Sequence, residues 1–128
     1  MSKATGRIIL AASYAFAVLF LLIAGLVYPG VAEWSYWAAG ACLAHGCLSM
    51  GIACAGAHTV AKIAAMTWLS LSNVACVSLL LVHELTSERS WLLATVALGF
   101  VTLLLALVVI LAFRPVATPP ASGDAATR

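Results

Sequence analysis

Acidic residues are scarce in this 128-residue chain, and none of them lies in its long apolar stretches. The chain has four Asp or Glu and six Lys or Arg, so only 8% of its residues are charged. The acid-free apolar stretches are residues 8–28, 34–57, 60–82 and 91–113. Proton coupling and hydrolysis inside a membrane ordinarily need a carboxylate, so this absence argues against both activities.

Motifs for catalysis and ligand binding are lacking as well. The sequence has no Gly-x-Ser-x-Gly elbow for a nucleophile and no Cys-x-x-Cys pair. Its few Lys and Arg are scattered, whereas a surface that follows a nucleic-acid backbone needs them clustered. We therefore expect no enzymatic activity, no cofactor and no nucleic-acid partner.

What the chain does have is four stretches long enough to cross a bilayer. A hydrocarbon core about 30 Å thick needs roughly 20 apolar residues in a helix, and each stretch reaches that length. Unpaired backbone groups are too costly in lipid, so each span should be helical. The sequence predicts an all-α, polytopic membrane protein, an antiparallel bundle of four transmembrane helices in one domain, residues 1–114. A disordered tail, residues 115–128, should follow, because it is rich in Pro and small residues.

The placement of the charged residues predicts the orientation of the spans. Lys and Arg are enriched on the cytoplasmic side of membrane proteins, so the end of the bundle that carries most of them should face the cytoplasm. Both termini would then be cytoplasmic. A signal peptide cleaved near residues 30–32 is the alternative for the first span. The basic flanks are Lys3, Arg7, Lys62 and Arg114, and the opposite flanks carry Glu33, Glu84, Glu88 and Arg89.

The four spans differ in amino-acid composition. The fourth is dominated by Leu and Val, which suits contact with acyl chains, whereas the second is mostly Ala, Gly, Ser and Cys. Small residues four apart let helix backbones approach closely, so we expect the second helix at the bundle centre or at a seam between copies. The outer ends carry aromatic residues, including Trp34 and Trp37, typical of a belt at the headgroups or of a docking surface for a partner. The predicted packing residues are Gly40, Ala44, Gly51 and Ala55.

Soft-metal ligands recur along the second span. Cys47, Met50, Cys54 and His58 fall on one stripe of a helix. From Cys47 to His58 the stripe rises roughly 16 Å, too far for one coordination sphere. Cys and Met also serve as adaptable apolar residues in helix interfaces, so we favour packing and predict no metal.

The opposite face of the second span predicts a polar seam with the third. If the chain turns near residue 59, residues at equal depth on the two helices have numbers that add up to about 118. His45 should then meet Asn73 through an interhelical hydrogen bond that fixes the helix register. In the alternative interpretation, His45 is a proton or ligand site. The seam comprises Cys42, His45, Ser49, Ser70, Asn73 and Cys76.

Two functions are compatible with these features. The first is a non-enzymatic accessory, scaffold or assembly subunit that packs through its helices against a membrane-protein partner or against copies of itself within the lipid bilayer. The second is a small oligomeric channel or transporter with a polar path along the second and third helices. The first is favoured because the spans offer so few hydrophilic positions.

Overall fold

The structure is a computed structural model that describes residues 2–56 and 58–112. Within these residues every regular element is a helix and there is no strand, as the sequence predicts. The predicted tail and Arg114 lie outside the described residues. The elements are α1 Lys3–Val27, a short 3-10 turn Pro29–Val31, α2 Ala32–Cys54, α3 Thr59–Thr86 and α4 Arg89–Ala112.

All four α-helices are long and apolar enough to cross a membrane. They contain between 23 and 28 residues. At 1.5 Å per residue, helices of this size extend about 35 to 42 Å, which exceeds the hydrocarbon core of a bilayer. The helix bounds also show that several ends project beyond the predicted apolar stretches.

Local capping explains two of these longer ends. α1 begins at Lys3, because the hydroxyl of Ser2 accepts a hydrogen bond from the backbone N–H of Thr5 at 3.1 Å. α3 continues to Thr86 and stops at Ser87, whose φ of 59° is left-handed. The link between α3 and α4 is consequently only two residues long, which holds these helices side by side.

α2 is the centre of the bundle. It buries eight residues, whereas α1, α3 and α4 bury two, four and two. α1 packs on one side of α2, α3 packs on another, and α4 packs mainly on α3 while also touching α2. The start of α2 contacts the end of α1 and the second half of α3, and the end of α2 contacts the start of α3, so these helices are antiparallel. After its two-residue link, α4 bonds back to α3 at mid-helix and so runs antiparallel to it.

Glycines set the closest approach of α1 to α2. A Cβ atom added at Gly46 would lie 3.0 Å from Cγ and 3.1 Å from Cβ of Tyr14, so α1 would have to move away slightly to admit it. Gly25 of α1 similarly lies against Ser35 and Tyr36. Backbones that approach this closely gain van der Waals contact, the main source of helix association in lipid. The sequence pattern did not single out either glycine.

The four predicted packing residues have different environments. Ala55 is buried, and a Cβ atom at Gly51 would meet the end of the Ile110 side chain at 2.8 Å. Gly40 and Ala44 are exposed, and a Cβ atom at Gly40 would meet nothing within 4 Å. This second pair therefore makes no close helix contact within the described chain. The packing role of Gly40 and Ala44 stays a prediction, for a contact between copies of the chain.

Candidate functional site

His45 lies at the centre of a buried hydrogen-bonded cluster. Its side chain is 5% exposed. Nδ1 lies 2.7 Å from the backbone carbonyl oxygen of Ala41, one turn earlier in α2, and Nε2 lies 3.2 Å from Oγ of Ser72 in α3. The cluster continues from Ser72 to Thr102 of α4, whose hydroxyl oxygens are 2.7 Å apart. It ends at Trp68, whose indole N–H donates to Thr102 Oγ1 at 3.3 Å.

The chemistry of the two ends assigns a direction to this chain of hydrogen bonds. A carbonyl oxygen only accepts, so Nδ1 of His45 carries a proton, and in the tautomer whose Nε2 has none that atom accepts from Ser72. An indole N–H only donates, so Thr102 accepts from Trp68 and donates to Ser72. Every donor in the chain then has an acceptor. Such a fully paired network is stable in a low-dielectric interior and links α2, α3 and α4.

The same chemistry makes the chain a poor path for protons. A proton relay needs a group at each end that can take up or release a proton. Here one end is the backbone carbonyl of Ala41 and the other is the indole of Trp68. Neither exchanges a proton readily. The geometry therefore fits a structural network better than a conduction path.

Two further contacts extend the polar seam beyond this chain. Ser49 donates to the hydroxyl of Tyr14 at 3.2 Å, which brings in α1. Asn73 donates through Nδ2 to Sγ of Cys42 at 3.5 Å, within the reach of a weak sulfur acceptor. Oδ1 of Asn73 is buried and has no hydrogen-bond partner in the described part of the chain. Cys42 and Cys76 are both buried free thiols.

The structure pairs the predicted seam residues differently from the sequence analysis. His45 bonds to Ser72 and not to Asn73, because the face that α3 turns toward α2 contains Leu69, Ser72 and Cys76 at helical spacing. Asn73 lies one residue around the helix and reaches Cys42 instead. Ser70 is exposed and lies away from Ser49. Matching residues by depth indicated the right region of α3, but depth alone does not specify the facing side.

Sequence reasoning missed the residues that complete the cluster. Thr102 is an isolated hydroxyl in the Leu- and Val-rich α4, and such a residue in lipid needs a partner. The need of this hydroxyl for a hydrogen-bond partner is the sequence signal for Thr102. Trp68 gives no comparable signal, because nothing in the sequence indicates which residue its indole N–H would meet. Ser72 and Tyr14 are polar residues of the predicted spans, but the match of residues by depth does not include them.

The predicted stripe of soft ligands does not form a cluster. Cys47 and Met50 border a cavity between α1 and α2, whereas Cys54 and His58 are exposed near the link to α3. Among residues 2–56 and 58–112, no three His, Cys, Asp or Glu side chains come together as metal ligands would. The four residues are therefore spread along α2 and its link to α3.

Removing the Thr102 hydroxyl should test the chain of hydrogen bonds. We expect Thr102→Val to lower the free energy of unfolding by about 1 to 2 kcal/mol, since Trp68 and Ser72 both lose a partner. The matched control is Thr95→Val on the same helix, because Thr95 bonds only to the carbonyl of Trp91 one turn away. Reversible unfolding in mixed micelles measures both variants. Equal losses would contradict a special role for Thr102.

The fold and the cluster together define a class: an all-helical protein whose four helices can each span a membrane. No family model, curated protein sequence or solved structure matches the chain.

Proposed function

We propose that the chain is a small multi-pass integral membrane protein that acts as a non-enzymatic accessory, scaffold or assembly subunit, with both termini in the cytoplasm. The separation of charge along the bundle supports the orientation. Lys3, Arg7 and Lys62 surround a cavity at one end, whereas Glu33 and Glu84 border a cavity at the other. This arrangement follows the bias of Lys and Arg toward the cytoplasmic side.

The observation that carries the functional proposal is the chain of hydrogen bonds that joins α2, α3 and α4 inside the bundle. His45, Ser72 and Thr102 bond to one another and to their immediate neighbours. The cavities that border the spans in their middle are lined mostly by apolar side chains. Polar side chains used in this way fix the register and identity of the helix contacts. That is the requirement of a protein that holds a defined shape for a partner.

The outer surface supplies the means of association. Large apolar side chains such as Phe16, Phe20 and Leu26 on α1, and Leu93 and Phe100 on α4, are exposed. In a bilayer, lipid or another helix covers such side chains. The exposed small pair Gly40 and Ala44 adds a surface on α2 that a second helix could approach closely. The proposed partner is accordingly another membrane protein or a second copy.

One experiment tests the scaffold role against a channel or transporter with its path along α2 and α3. The tagged chain is extracted gently, its oligomeric mass and co-purifying proteins are measured, and solute flux is recorded in liposomes. We expect a defined assembly and no flux above empty liposomes. In His45→Ala and Asn73→Ala, that assembly should be weakened. The control is Ser78→Ala, because Ser78 bonds only to the Val74 carbonyl of its own helix.

The opposite pattern would support transport. Wild-type flux that disappears in His45→Ala, while the assembly remains intact, would contradict the scaffold proposal. A monomer that purifies without any partner would contradict it as well, because a scaffold must hold something.

A further inference from the structure

Three of the described basic residues line the same cavity at one end of the bundle. Lys3 and Arg7 of α1 and Lys62 of α3 line a space of about 640 Å³, which Ala55 and Gly56 after α2 also border. They come from two helices, so the fold brings Lys62 to the pair of charges on α1. The described acidic residues are Glu33, Glu84 and Glu88, all at the opposite end of the bundle. No described acid lines the cavity.

Lys62 is held in place and keeps donors to spare. Its Nζ lies 3.2 Å from the carbonyl oxygen of Ala53, in the last turn of α2, where a cation is favoured. An ammonium group has three donors, so two remain for a ligand. Thr59 begins α3 beside the same cavity, and its helix has no side-chain cap on its first backbone N–H groups. These groups add donors of the kind that bind anions.

An apolar groove continues from this cavity along α3. Leu10, Lys62 and Met66 border both spaces. The groove has a volume of about 440 Å³ and extends toward the middle of the helix, past Ile63 and Leu71. A cationic pocket joined to an apolar groove matches a molecule with an anionic head and a hydrocarbon tail. A free phosphate ion would use only the first part.

We propose that this region binds an anionic phospholipid, with the phosphate group near Lys3, Arg7 and Lys62 and one acyl chain along the α3 groove. Basic pockets between membrane helices recognise lipid headgroups by the same charge complementarity. The site requires a bilayer around the helices but not the scaffold role. Lipid binding can therefore fail while assembly persists, and the reverse can also occur.

Native mass spectrometry of the full chain in detergent tests the proposal by titration with phosphatidylglycerol and, separately, with phosphatidylcholine of the same acyl chains. We expect tighter binding of the anionic lipid. Each of Lys3→Gln, Arg7→Gln and Lys62→Gln should weaken it about fivefold, which corresponds to about 1 kcal/mol per charge. Arg89→Gln is the matched control, because it removes one positive charge at the opposite end of the bundle. It should change affinity less than twofold, about 0.4 kcal/mol.

Further measurements distinguish lipid binding from the binding of a free anion and from loss of the fold. Inorganic phosphate at millimolar concentration should not displace the lipid, and displacement would indicate a free-anion site and overturn the proposal. Lys62→Gln also loses the hydrogen bond to Ala53. Lys3→Gln and Arg7→Gln change exposed residues, so they test the charges while the helix contacts stay intact. Equal affinity for both lipids, or an equal loss in Arg89→Gln, would overturn the assignment too.

Discussion

Replacing Gly46 by Leu should separate α1 from α2 and cause one of the two largest losses of stability among the substitutions considered. The atoms nearest to a Cβ at this position are Cβ and Cγ of Tyr14, which lie close to the α1 backbone and cannot swing away as the end of a flexible side chain can. Overfilling a packed contact costs about 1 to 3 kcal/mol, and we expect the upper part of that range. Unfolding in mixed micelles, followed by circular dichroism, measures the change.

Gly40→Leu is the matched control for this prediction. Both substitutions remove a helix-interior glycine and so gain a similar helix propensity, about 1 kcal/mol at most. A side chain at Gly40 has open space, so the monomer should keep its stability. If Gly40 and Ala44 form a seam between copies, Gly40→Leu should instead reduce the oligomeric mass. Equal stability losses in the two variants would contradict the assigned contact between Gly46 and Tyr14.

Replacing Trp34 by Ala should produce the second large effect. Trp34 is partly buried against the apolar cluster of Leu21, Ala38 and Cys42, and its indole N–H donates to the carbonyl of Val77 at 3.2 Å. The substitution removes the ring and the link from α2 to α3 together. We expect a loss of about 3 kcal/mol, the low end of the cost of truncating Trp in a core. Mixed-micelle unfolding monitored by circular dichroism provides the measurement.

Trp37→Ala gives the comparison on the same helix. Trp37 is 64% exposed, so its loss should cost less than about 1 kcal/mol, as for a surface substitution. An interface role for Trp37 with lipid or a partner would appear in the lipid dependence or the oligomeric mass, not in the unfolding of the monomer. Similar losses for both tryptophans would show that Trp34 contributes no specific helix contact.

The two tryptophans show what a sequence pattern can predict in a membrane protein. Both lie at the predicted outer end of the second span, and the aromatic belt accounts for both equally well. Their separation of three residues does not reveal that Trp34 faces α3 while Trp37 faces outward. That difference depends on the rotation of α2 about its axis, which neighbouring helices decide.

The polar seam shows the same limit. The sequence predicted that His45 would be buried against α3, because an imidazole in hydrocarbon needs a partner, and the register predicted the depth of that partner. The actual acceptor and donor relations include Ser72, Thr102 and Trp68, which come from α3 and α4. A rotation of α3 by one residue, 100° in a helix, is enough to exchange Asn73 for Ser72.

The sequence by itself determined the all-helical class and the four helices long enough to span a membrane. The cause is local: length, apolar composition and the cost of unpaired backbone groups act on each helix separately. Only the tertiary structure decided that Gly46 rather than Gly40 meets a neighbouring helix, that His45 bonds to Ser72, and that Lys3, Arg7 and Lys62 share a cavity. These relations join residues far apart in the chain, and they depend on how each helix is rotated and which helices pack together.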